Sequence, residues 1–170
     1  MEREPLQLPE AERLRVLEKQ SQQAGSGLSR DDLIGTWRQE RIWGKGRTDP
    51  SRAAGASLRA LCASLELQPG EEGSLRMLNS LALGGLKLSF EGSAHLKGRR
   101  PLMLFAFHTL RVSLAGQTLW SLALPNPPQG REPFFALIAS PATTAGQRWL
   151  AARGRGGGLA LWLHAKDGAA

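Results

Sequence analysis

The chain has 170 residues, 41% of them hydrophobic, and carries 22 basic against 15 acidic side chains for a net charge of +7. That length fits one domain with a substantial core, and no stretch approaches the ~18 apolar residues of a membrane span. Cys62 is the sole cysteine, which excludes an intrachain disulfide and fits a reducing compartment.

The charge is uneven. Residues 1–33 hold five basic and seven acidic side chains, and residues 34–170 hold 17 and eight. A basic body suits an anionic partner such as a lipid surface. The start, Met1-Glu2-Arg3-Glu4-Pro5, is acidic and without an apolar core, so it reads as neither a secretory signal nor a transit peptide.

Residues 1–28 read as an N-terminal helix and linker, and residues 29–166 as one β domain. Ala11, Leu14 and Leu17 recur at helical spacing after Pro9, which predicts a helix near residues 9–22. The Gly/Ser-rich stretch up to Gly27 is a linker. Ser29 and Asp32 form a capping pair on one short turn.

From Gly35 the period changes to two. Residues 36–43 predict a first strand, with Trp37, Gln39, Arg41 and Trp43 on one face. Residues 57–68 and the run from Leu75 to Leu81 predict the next two. Leu86, Leu88, Phe90, Ala94 and Leu96 alternate with Lys87, Glu91 and His95, a strand with an inward apolar face and a wet outer one. Residues 102–114 predict a long strand bent near His108. Residues 118–124 and 134–140 follow on either side of a loop with four prolines. A last hairpin joins 149–153 to 159–164 across Gly154–Gly158. Eight or nine such strands predict an antiparallel barrel or sandwich.

The chemistry is sparse. His95, His108 and His164 share no metal-ligand spacing with Cys62, and no serine sits in a nucleophile elbow. No catalytic residue and no cofactor is expected. Arg153-Gly154-Arg155-Gly156 reads as a hairpin turn and not as a nucleic-acid segment, since no aromatic platforms are interleaved with its charges. An Arg41 directed inward would need an acidic partner: Glu66, Glu91 or the carboxylate of a ligand.

The segment Leu33-Ile34-Gly35-Thr36-Trp37-Arg38 resembles the opening of the plastid lipid-associated protein (PAP)/fibrillin family. The run from Leu86 to Leu96, the Pro-rich loop and Arg153-Gly154 before Leu159-Ala160-Leu161 are similar to its middle and end. The family's acidic pair before the last turn is replaced by Ala151-Ala152. The resemblance implies a mainly β, lipocalin-like antiparallel barrel of eight or nine strands with a short N-terminal helix. It implies a cytoplasmic protein, peripheral at a thylakoid membrane, that binds an isoprenoid, carotenoid or lipid without catalysis. An arginine late in such chains lies across the Trp37 position, and Arg148, Arg153 and Arg155 are the candidates. Ligand contacts are expected from Trp37, Gln39, Arg41, Leu88, Phe90 and Leu104. Gly35, Trp37 and Arg41 also resemble the start of the S-type phycobiliprotein lyases, the enzymatic alternative. The remaining alternative is an interaction module whose barrel is filled by its own side chains.

Overall fold

A computed structural model describes residues 8–53, 63–141 and 146–165. Helices α1 (Ala11–Ala24) and α2 (Arg30–Leu33) precede nine strands. These are β1 (Gly35–Trp43), β2 (Ser64–Pro69), β3 (Leu75–Leu83), β4 (Leu86–Lys97), β5 (Leu102–Leu114), β6 (Gln117–Ala123), β7 (Phe134–Ala139), β8 (Trp149–Gly154) and β9 (Leu159–His164). The first half of the expected 57–68 strand, with Cys62, lies outside the described residues.

All pairings are antiparallel, in the order β4-β3-β2-β1-β9-β8-β7-β5-β6. β4 also pairs with β5, so eight strands close in a ring and β6 lies outside it. The length of β5 explains this. Its first residues, Leu102–Leu104, pair with β7, while Thr109–Leu114 pair with β6. The Pro-rich loop carries the chain from one partner to the other.

Two apolar clusters follow from the alternation. The inner one joins Trp37, Leu65, Leu67, Leu75, Met77, Met103, Leu137, Leu150 and Trp162. Leu28, Leu33 and Ile34, around α2, pack against it and plug the end of the ring where β1 begins. The Ser29–Asp32 pair forms as expected: the Asp32 carboxylate accepts from the Ser29 N–H at 2.8 Å and from its hydroxyl at 2.6 Å. These bonds, the hydroxyl's first, lower the Asp32 pKa.

The outer cluster is where α1 docks. Ala11 and Leu14 are buried, with Leu17 half-buried, against Trp43, Ile138, Trp149, Ala151, Leu159 and Leu161. Glu18 lies on the same helical stripe and is only 6% exposed. Arg153 of β8 holds both of its carboxylate oxygens, with Nε at 2.6 Å from Oε1, and Arg100 Nη2 approaches Oε1 at 2.9 Å. Hydrogen bonding from Arg153 lowers the Glu18 pKa against the opposing effect of burial. The same bond raises the pKa of Arg153.

Two bulges reset the strand faces. In β1 the pairing with β9 slips between Gln39 and Arg41, so Glu40 is the additional residue. Trp37 and Gln39 face inward, but Arg41 and Trp43 face α1. The expected inward direction of Arg41 and Trp43 is therefore corrected. In β5 the slip passes over His108, where Gly92 opposes Phe107 and Glu91 opposes Thr109. Gly92 is required there: a Cβ would stand 2.7 Å from the Phe107 Cα and collide with the Ala106 carbonyl.

Candidate functional site

Trp37 closes the floor of the ring. Its Nε1 donates to the Leu33 carbonyl at 2.7 Å, tying β1 to α2. The His164 ring meets it edge-on at 4.8 Å between centroids. The Arg148 guanidinium lies 5.4 Å from the indole centroid and donates to the Asp32 carbonyl. Arg148 is thus the arginine across Trp37, a cation–π contact. Arg153 serves Glu18, and Arg155 donates to the carbonyls of Arg131 and Glu132.

Above this floor an aromatic ladder rises along the inner face. Trp162 meets Phe135 at 5.4 Å, Phe135 stacks on Phe105 at 5.2 Å, Phe105 meets Phe107 at 5.4 Å, and Phe107 meets Phe90 at 5.5 Å. Trp162, at the floor, is buried, and Phe135, Phe105, Phe107 and Phe90 above it are half-buried. Register continues the face upward. Phe90 pairs with Leu110, and Leu110 with Leu122; Leu88 pairs with Leu81 and Val112, and Val112 with Trp120. One apolar, concave surface therefore runs from the plugged end of the ring to its other end.

The expected ligand residues divide on this geometry. Trp37 is fully buried in the floor. Leu88 and Phe90 lie on the concave face. Gln39 also points inward, but its amide donates to the Arg41 and Leu161 carbonyls at 3.1 Å each, bracing the bulge. Arg41 lies outside the ring, with Nη1 2.8 Å from Oε1 of Glu10; this corrects the partners expected for it. Leu104 pairs with His95 and Phe134 and belongs to the outer face. Counting back by two from Leu110 and Val112 would place it inside; the bulge at His108 shifts that phase by one residue. Phe105, Phe107, Phe135 and Trp162 were not singled out, although Phe105-Ala106-Phe107 and Phe134-Phe135 carry the signal.

A second hollow lies on the outside of β3, β4 and β5, with a volume of about 660 Å³. Ser93 Oγ and His108 Nε2 stand 3.0 Å apart on its wall. Glu91 beside them is held by Arg76, and Arg111 approaches it at 3.5 Å. Arg76 and Arg111 thus both engage the Glu91 carboxylate. Among the described residues no cluster of histidine, cysteine and carboxylate side chains has the makings of a metal site. No described helix is long and apolar enough to cross a membrane.

The fold and site thus define a β-rich protein with a ring-closed antiparallel sheet and an aromatic concave face. No protein-family model matches the chain, and no curated protein matches it.

Proposed function

We propose that the chain is a lipocalin-like barrel that binds an apolar or amphiphilic small molecule, an isoprenoid, carotenoid or lipid, without catalysing a reaction. The observation that carries this reading is the five-membered aromatic ladder on a concave face, buried at the floor and half-buried above it. Stacked rings along an apolar wall suit a polyene or prenyl chain. The resemblance to the PAP/fibrillin family supports this ligand class and a setting peripheral to a thylakoid membrane, and the sole cysteine suits a reducing compartment such as the cytoplasm. The lyase reading loses its anchor, because Arg41 pairs with Glu10 outside the ring.

The test is a fluorescence titration with cis-parinaric acid and competition by geranylgeraniol. Saturable binding is expected. Phe107→Ser should weaken it about tenfold, the equivalent of ~1.4 kcal/mol, and Leu104→Ser on the outer face should leave it unchanged. Absence of saturable binding, or equal losses from both substitutions, would overturn the proposal. Covalent transfer of a bilin to a cysteine-bearing acceptor, seen by zinc fluorescence, would favour the lyase.

A further inference from the structure

Past the start of β7, the ends of β3 and β5 and the start of β4 continue together. With β6 they form, among the described residues, a four-stranded projection. Its two turns, 83–86 and 114–117, are joined by a 2.8 Å hydrogen bond from the Ala115 N–H to the Gly85 carbonyl. Leu83 is 62% exposed, and Leu86 and Leu114 about half exposed; on β6, Leu119 is 61% and Trp120 49% exposed. A contiguous apolar surface of this kind marks an interaction site. Leu86 and Leu114 share the face of Leu88 and Phe90, so the tip is continuous with the aromatic ladder.

Charge identifies what covers the tip. Residues 73–90 contain only Arg76 and Lys87 as ionised side chains, and residues 109–124 only Arg111. In an antiparallel ring alternate connections share an end. The described connections at the tip's end add Lys45, Arg47, Arg52 and Arg155 against Asp49, and the 124–133 connection that Arg155 touches adds Arg131 and Glu132. A second copy would bring these cations together with few acids to meet them. An anionic bilayer meets the whole pattern: leucines reach the acyl boundary, Trp120 sits at headgroup depth, and the cations set back from the tip meet lipid phosphates.

We propose that the projection docks on an anionic bilayer and that the apolar ligand passes between ring and bilayer along the continuous face. The protein is then a collisional carrier that moves apolar molecules between membranes. This rests on the reading that the ring holds such a ligand.

The experiment loads the full chain with cis-parinaric acid. Transfer is followed by energy transfer to a quencher in acceptor vesicles of phosphatidylcholine, alone or mixed with phosphatidylglycerol. The expected rate rises in proportion to acceptor vesicle concentration. At low salt it is about tenfold higher for the anionic vesicles. The double variant Leu83→Ser/Leu119→Ser, at the two most exposed leucines of the tip, should lose most of that rate while retaining the wild-type affinity for parinaric acid in solution. A rate independent of acceptor concentration would mean release through water and would overturn the proposal. So would a double variant that transfers like the wild type. A dimer that dissociates in the double variant, measured by light scattering, would assign the tip to a second copy and overturn it too. Failure of the ligand reading itself shows separately, as no parinaric acid binding before any vesicle is added, and removes both.

Discussion

At Gly35 the physical demand is double. Its φ of +133° lies where L side chains are strained, and a Cβ would collide with the His164 Nε2 and stand 3.0 Å from its Cδ2. His164 in turn is edge-on to Trp37, so Gly35→Ala should push the imidazole off the indole. The expected cost is about 1–3 kcal/mol, the usual price of overpacking, read from the midpoint of urea unfolding. An unchanged midpoint would mean that His164 moves freely. Arg41→Ala makes the opposite forecast. Its partner Glu10 is two-thirds exposed, and exposed pairs contribute ~0–1 kcal/mol. The variant should lose no more than that in stability and bind acidic and neutral apolar ligands as the wild type does. Selective loss of the acidic ligand would show that Arg41 reaches the ring after all.

Among the elements, α1 is held by chemistry that titrates. The Glu18 pKa is lowered from its ordinary 4.5 in the folded chain. The unfolded chain therefore binds more protons between the folded value and 4.5, and stability rises with pH across that window. The contribution is complete above pH 4.5 and disappears as pH falls through the folded pKa. Glu18→Gln should cost on the order of 2 kcal/mol at pH 7, between the values for exposed and fully buried pairs. It should also flatten the acid limb of the melting temperature plotted against pH. A variant that retains the wild-type acid limb would assign the effect to other carboxylates. The strands show why the sequence was readable in one respect and not in another. Alternation and Gly-bearing turns placed the strand runs, because a half-buried sheet imposes a period of two on the sequence itself. The bulge at Glu40 leaves no such mark, and near His108 the sequence shows the expected bend but not the change of face that comes with it. Each bulge depends on a neighbouring strand far along the chain, so the faces of Arg41 and Leu104 could not be counted from local periodicity. Glu18 was likewise invisible as a clamp, since Arg100 and Arg153 are 82 and 135 residues away.

Across the whole molecule, order should grade from the plugged end to the tip. Ala151, Ala152, Leu159 and Leu161 of β8 and β9 are buried between the inner cluster and α1. By contrast, all seven residues of β6 are exposed, and β6 ends the sheet order with β5 as its one neighbour. Local opening free energies follow such differences in burial. Native-state hydrogen exchange should therefore find β8 and β9 amides protected to the level of global unfolding, and β6 amides exchanging by local opening. The same measurement reports on the ligand. Addition of parinaric acid should slow exchange in β4 near Phe90 and in β5 at Phe105–Phe107, where the ladder lines the concave face. It should leave α1 unchanged, because that helix packs on the other side of the sheet. Protection gained mainly along the outer hollow, at Arg76, Ser93 and Thr109, would place the ligand there and not in the ring. Uniform protection with no local maximum would indicate stabilisation of the whole fold without a defined seat on the ladder.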